Sequence, residues 1–313
     1  MHMISPGRII YNLYHKPLGL LQTTLKTGVR RTAAINAGKK HMMVAASGLR
    51  EVSYKEGPKY NVYFLTGKNY WYQTAFCLYS LQKNAGVNIH AFIIDDGSFD
   101  DGLEAQVARQ FPSTTTVIRS SELRNLLDEK LPEKDFPVLR QRRIEYPHLR
   151  KLTDVHLLPG GGPKLVLDSD MLFFSQPVDL LNWLSKPNGL LFMKDVAESY
   201  GYTTRLMKEL TGANDIPERL NVGVAGIASS TLNWERLEQW TSELLKREGS
   251  SYLQEQALTA MIAANEIYTF LNADDYKVLP SINGSTIPEI LHHYVAEAKY
   301  DYFVKGWKHV TLT

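Results

Sequence analysis

The chain has 313 residues, 44% hydrophobic and 22% charged, with a net charge of +2; this is enough for one large α/β domain with a substantial core, and the composition excludes intrinsic disorder. The single cysteine, Cys77, excludes an intramolecular disulfide framework, favours a reducing compartment and reads as a small buried hydrophobe. No apolar run is long enough for a bilayer span and no basic-then-apolar leader opens the sequence, so a cytoplasmic protein is expected.

The charge is unevenly spread. Residues 1–50 hold Arg8, Lys16, Lys26, Arg30, Arg31, Lys39, Lys40 and Arg50, whereas the first acidic residue is Glu51. Leu18, Leu21, Leu25 and Val29 recur at roughly helical spacing beside Lys26, Arg30 and Arg31. This pattern suits a basic helical arm lying on anionic lipid, on a second subunit or on its own domain. No recognisable nucleic-acid-binding motif accompanies the basic residues, which argues against nucleic acid. We expect an arm over residues 1–58 and one domain over 59–313.

The domain opens with a strand, Asn61 to Thr66, and a turn at Gly67-Lys68-Asn69. A helix follows, with Trp71, Ala75, Leu78 and Leu81 at three- and four-residue spacing, closed by Asn84-Ala85-Gly86. The next strand, His90 to Ile94, runs into Asp95-Asp96-Gly97-Ser98. Strand, helix, strand with carboxylates at a carboxyl edge is how an open parallel sheet builds a nucleotide crevice. Asp96 is positioned to accept from a base N–H or a ribose hydroxyl; the alternative is a turn whose Ser98 caps the following helix. Helical character over 103–111, a strand from Thr114 to Ile118, and a helix from Ser120 to Lys134 ended by Pro137 come next. Arg140, Arg142, Arg143, His148, Arg150 and Lys151 then lead to the turn Gly160-Gly161-Gly162. Basic groups here can neutralise a diphosphate, Arg150 first and Lys151 second, although a solvated helix face is the usual fate of such a run.

In KLVLDSDMLFFSQP, residues 164–177, Asp168 and Asp170 interrupt a hydrophobic run. Two like charges in apolar surroundings are costly unless a cation or hydrogen-bond donors compensate them. Oxygen ligands suit Mg²⁺ or Mn²⁺, ions that hold diphosphates; a strand-end turn with solvated carboxylates is the plainer alternative.

The run LDSDMLFFSQPVDLL, preceded by YPHLRKLTDVHLLP, resembles the metal-site region of GT-A glycosyltransferases, particularly the retaining family-eight type related to glycogenin and bacterial galactosyltransferases. The resemblance spans residues 60 to 310 and implies a Rossmann-like α/β fold, a mixed, mostly parallel sheet flanked by helices. Three further motifs follow in the family's order: the Asn-x-Gly strand from Asn221 to Gly226, the acidic-Gln pair Glu255-Gln256, and His293 with Lys299 in HHYVAEAK. The resemblance implies that Asp168, Asp170 and His293 are metal ligands, with the adjacent His292 leaving the register open by one. It implies that Lys299 binds donor phosphate, that Gln256 lies against the reacting face of the sugar, that Asp195 binds sugar hydroxyls, and that Asp168 is shared between metal and ribose. Thr66, Asp96, Arg150, Lys151 and Asn221 complete the expected donor site. In the Asn-x-Gly strand, Gly223 would let a sugar approach the backbone.

Departures are present. Ala296 replaces the glycine usual after the metal-binding His, Glu255 stands where Asp is commoner, and Tyr300-Asp301-Tyr302 replaces a frequent Pro-Trp. The DDGS ending is more like inverting family-two enzymes. Between the halves, Tyr200, Tyr202 and Arg205 form a candidate acceptor region where aromatic rings stack on a sugar or simply pack. The implied reaction is Mn²⁺- or Mg²⁺-dependent transfer of a hexosyl unit from a nucleotide-diphosphate sugar to the hydroxyl of a saccharide, glycolipid or other acceptor, with retention. A non-catalytic protein on the same fold and a sugar nucleotidyltransferase are the rivals; the latter usually carries a Gly-rich, Arg-containing loop that NVYFLTGKNYW lacks.

Overall fold

Strand alternation assigns the first apolar residues to two different cores. The computed structural model describes residues 28–54 and 56–312. After a helix α1 (Val29–Ala46), the segment Lys59–Thr66 forms β1. Val62 and Phe64 of β1 enter one buried cluster while Tyr63 enters the other, as the two-residue period of a strand requires. Leu165 and Leu167 of β4 (Pro163–Leu167) repeat the pattern on one side and Val166 on the other. Both faces of this sheet are therefore covered, which is why its strands read as near-continuous apolar runs.

The intervening elements are α2 (Trp71–Ala85), β2 (Asn88–Asp95), α3 (Asp101–Gln110), β3 (Thr115–Ile118), α4 (Ser120–Lys130), α5 (Pro137–Glu145) and α6 (Thr153–Leu157). After β4 come β5 (Met171–Phe173), α7 (Val178–Ser185), β6 (Leu190–Lys194), α8 (Thr204–Thr211), β7 (Leu220–Ala228), α9 (Trp234–Glu248), α10 (Gln254–Ala263), β8 (Tyr268–Phe270), β9 (Tyr276–Val278) and β10 (Leu291–His293). Seven strands form one sheet in the order β3-β2-β1-β4-β7-β6-β8. Its pairings are parallel except those of β7, which runs antiparallel to both β4 and β6. A second sheet has the order β5-β10-β9. The expected mixed, mostly parallel α/β sheet is thus the observed one.

Local chemistry moves several expected boundaries. Asp100, not Ser98, caps α3: its carboxylate accepts from the Leu103 amide at 2.9 Å, while Ser98 Oγ donates to Asp96. The helix expected over residues 120–134 stops at Lys130, and Pro137 opens α5 at its first position instead of ending a helix, a site where a missing N–H costs nothing. The segment YPHLRKLTDVHLLP is a 3₁₀ turn (Pro147–Lys151) plus the five-residue α6, in place of one continuous helix.

The expected arm falls partly outside the described residues, including Leu18, Leu21 and Leu25. Its described part, α1, packs on the domain. Met42 and Ala46 join the cluster that holds Phe64 and Trp71, and Arg31 lies over the Tyr300 ring, 4.6 Å from its centroid. Gly38 makes the close approach possible, because a Cβ there would stand 2.2 Å from the Phe303 carbonyl oxygen. Among the described residues no helix is long and apolar enough to cross a membrane. Gly38→Val should push α1 off this contact and destabilise the protein by about 1–3 kcal/mol; an unchanged urea midpoint would show that α1 does not dock through Gly38.

Candidate functional site

Asp168, Ser169 and Asp170 are the link between the two sheets, since β4 ends at Leu167 and β5 begins at Met171. Two backbone bonds hold the link. The Asp168 amide donates to the Gly223 carbonyl in β7 at 2.8 Å, and the Tyr294 amide donates to the Asp170 carbonyl at 2.9 Å. Antiparallel pairing sets His293 of β10 opposite Met171. One ligand atom each from Asp168, Asp170 and His293 then lies within 4.8 Å of the others. His293 Nε2 stands 3.3 Å from Asp170 Oδ1 and 3.6 Å from Asp168 Oδ2. The neighbouring His292 faces away, as strand alternation demands, and meets Glu289 and the Tyr294 hydroxyl.

The tautomer of His293 follows from its partners. Asn221 donates through Nδ2 to Asp195 Oδ2 at 2.9 Å, so its Oδ1 is the atom facing the Gly223 amide (2.9 Å) and His293 Nδ1 (3.1 Å). An amide oxygen only accepts, so Nδ1 carries a proton, and in the neutral imidazole that a metal requires it is Nε2 that presents a lone pair. That Nε2 is buried and has no hydrogen-bond partner. A lone pair aimed at two carboxylates is repulsive without a cation between them, and two carboxylate oxygens with one imidazole nitrogen fit a divalent metal ion. Gly223 serves this arrangement: a Cβ there would lie 2.4 Å from His293 Nδ1. The space above the glycine is filled by the imidazole, which corrects the expectation that a sugar needs it.

Two ammonium groups flank the cluster. Lys299 Nζ pairs with Asp170 Oδ2, and buried Lys151 Nζ reaches Asp168 Oδ1 at 2.9 Å and Glu255 Oε2 at 3.1 Å. Burial opposes ionisation of Asp170, but Lys299 and His293 outweigh it and hold the carboxyl well below its ordinary range. Burial likewise works against the charge on Lys151, yet Asp168 and Glu255 raise its pKa. Glu255 is pushed up to about 7 by burial, against the pull of Lys151 and with the nearby Asp168 charge adding to the rise.

The other expected residues divide. Gln256, buried, donates from Nε2 to the Ser199 carbonyl at 2.8 Å, and half-buried Asp195 is tied to Asn221. Arg150 and Lys151 diverge: Arg150 donates to the Asp96 carbonyl and Lys151 enters the cluster. Asp96 Oδ1 accepts from Ser98, and its neighbour Asp95 is the buried anchor, accepting from Gly97, Phe99 and Ser120. Thr66 is buried, and Thr74 bonds both its hydroxyl (2.7 Å) and that of Ser169 (2.8 Å). Tyr200 and Tyr202 are buried, so they pack and do not stack on a sugar; the Tyr200 hydroxyl binds the Pro217 carbonyl and the Leu220 amide. Thr74 and Ser169 escaped the sequence reading, and nothing in their spacing marks them.

No protein-family model and no curated protein matches the chain. Solved structures do. A galactosyltransferase, LgtC, in complex with donor and acceptor sugar analogues superposes with a TM-score of 0.53 at 18% identity, over 80% of this chain and 94% of that one. An active-site mutant of LgtC gives a TM-score of 0.54 at 16% identity, over 80% and 94% of the two chains. Apo mouse xyloside xylosyltransferase 1 gives 0.52 at 12% identity, over 77% and 99%. The chain has the GT-A fold.

In this GT-A chain, Ala296 adopts φ +44°, a left-handed conformation that costs a residue with a Cβ about 1–2 kcal/mol. Ala296→Gly should relieve part of this strain and stabilise the protein by about 1 kcal/mol, read as a raised urea midpoint; a lowered midpoint would mean that the Ala methyl contributes more by packing. Lys151→Met should destabilise by about 3–5 kcal/mol, because it leaves Glu255 and Asp168 without their shared cation. The double variant with Glu255→Gln should recover much of that loss in the same measurement, and no recovery would show that Glu255 and Lys151 are not coupled.

Proposed function

We propose that the chain is a metal-dependent glycosyltransferase that moves a hexosyl unit from a nucleotide-diphosphate sugar to an acceptor hydroxyl with retention of configuration. Its main support is the buried, unpartnered His293 Nε2 facing Asp168 and Asp170 on a GT-A scaffold. The nitrogen ligand among oxygens favours Mn²⁺ over Mg²⁺. The LgtC complex with donor and acceptor sugar analogues supports a donor and an acceptor here.

The metal ligands are Asp168, Asp170 and His293, and Asn221 fixes the tautomer of His293 through Nδ1. When bound, a divalent cation supplies positive charge to the departing nucleoside diphosphate. Lys299, joined to Asp170, adds an ammonium that binds the same phosphates. Asp96 and Asp168 hold the nucleoside, and Arg150 contributes by fixing the Asp96 main chain. Lys151 holds Asp168 and Glu255 in place.

As the bond from the anomeric carbon to the phosphate oxygen breaks, the acceptor oxygen bonds to that carbon and its proton passes to the departing phosphate. Asp195 is engaged by Asn221 and Glu255 by Lys151, so neither is a free nucleophile, which favours a front-face path. Gln256, anchored through Nε2, turns its amide oxygen toward the developing positive charge, and Asp195 orients sugar hydroxyls. The acceptor is a saccharide, a glycolipid or another hydroxyl compound, and the reducing environment suggested by one buried thiol, Cys77, agrees with a cytoplasmic enzyme.

With Mn²⁺ and a panel of nucleotide sugars, at least one donor should yield free nucleoside diphosphate, EDTA should abolish the release, and Asp170→Asn should lower it about 100-fold or more. Nucleotide binding without turnover for any acceptor would replace this reading with a binding protein on the same fold. An inverted product in an anomeric NMR assignment would remove the front-face path alone.

A further inference from the structure

The outward face of α1 has no use in the transferase reading. Its inward face is consumed by Gly38, Met42 and Ala46. Val29, Ala33, Ala37, Lys40 and Val44 follow at three- and four-residue steps on the opposite side, and all are exposed. Val29 and Val44 keep 75% and 74% of their surface and Met43 keeps 47%, a large apolar exposure for one helix. Arg30 lies at one margin of this stripe and carries no ion pair among the described residues; neither does Lys40 within it.

The charge balance selects the occupant. No carboxylate lies between residues 28 and 50, and the first one, Glu51, is turned to Ser113 and Thr114, from whose amides and hydroxyls it accepts. Cover by residues 1–27 would add Arg8, Lys16 and Lys26 and no acid, bringing like charges together. A second copy meeting this face across a two-fold axis would likewise set Arg30 and Lys40 against their own counterparts. Apolar side chains interleaved with unpaired basic ones match an interface of the opposite charge with an apolar interior, which is an anionic phospholipid bilayer.

We propose that the chain docks peripherally on anionic membranes through the outward face of α1, with Val29, Met43 and Val44 entering the headgroup boundary and Arg30 and Lys40 meeting lipid phosphates. The docking is independent of the catalytic reading and leaves the helix lying along the surface, not crossing it.

Co-sedimentation of the full chain with phosphatidylcholine vesicles containing phosphatidylglycerol, and with pure phosphatidylcholine vesicles, tests this. Binding should require the anionic lipid and weaken with added salt. Arg30→Ala with Lys40→Ala should weaken it about 25-fold, on a scale of about fivefold for each basic side chain at the surface. Val44→Glu should abolish it with an unchanged circular dichroism spectrum and melting temperature, since the residue is exposed. Equal binding to neutral vesicles, no binding at all, or undiminished binding by Val44→Glu would overturn the proposal. So would a dimer seen in analytical ultracentrifugation that Val44→Glu dissociates while vesicle binding is absent.

Discussion

Two carboxylates and a buried imidazole are held within 4.8 Å of one another, the carboxylates only partly open to water, and much of the surrounding structure compensates for that. Formal charges make the need plain. Asp168 and Asp170 contribute two negative charges and Glu255, whose carboxyl is pushed up to about 7, a partial third, against the two positive charges of Lys151 and Lys299. The ammonium groups reduce the repulsion without filling the space between the ligand atoms, because each approaches from the flank and occupies a different carboxylate oxygen. The gap between the ligand atoms thus remains open to a cation, as a candidate metal site requires.

The backbone fixes this geometry by joining two sheets at the cluster. Were Asp168 and Asp170 on one continuous strand, each would still point to the same side, but nothing would bring His293 to them. Because the chain leaves one sheet after Leu167 and enters the other at Met171, pairing of β5 with β10 carries His293 to the junction. The one reversed strand of the large sheet, β7, supplies the rest. It delivers the Gly223 carbonyl to Asp168, the Asn221 amide to His293, and the bare Cα of Gly223 as the floor under the imidazole. Sheet topology and the geometry of the Asp168, Asp170 and His293 cluster are therefore a single constraint.

This explains what was legible in the sequence. The carboxylate pair stood out because charge inside an apolar run is improbable without a purpose, and β1, α2 and β2 followed from apolar periodicity and a glycine stop. The choice between His292 and His293 was not legible, since one residue of register decides which strand face a side chain occupies and the sequence contains both. Arg150 and Lys151 are neighbours in one basic run, and only the tertiary surroundings decide that one reaches the Asp96 carbonyl and the other Asp168. Tyr200 and Tyr202 suggested a sugar platform by type alone, whereas burial turned them into packing. Thr74 reaches Ser169 from α2, a contact set by tertiary approach across 95 positions, which local pattern does not encode.

Ala296 shows how a divergent chain keeps the geometry after losing the residue that makes it easy. The resemblance led to the expectation of a glycine there, and the backbone still turns through φ +44° although alanine disfavours it. The turn is enforced by what surrounds it. Upstream, the Tyr294 amide is bound to the Asp170 carbonyl; downstream, Lys299 must reach Asp170 Oδ2 from a chain that has to reverse within six residues of His293. A more relaxed extended path at Ala296 would carry Lys299 away and leave Asp170 with one fewer positive neighbour. The local strain of about 1–2 kcal/mol is smaller than the cost of stranding a buried carboxylate, about 3–5 kcal/mol, so the strained turn is the lower-energy solution with either residue at that position.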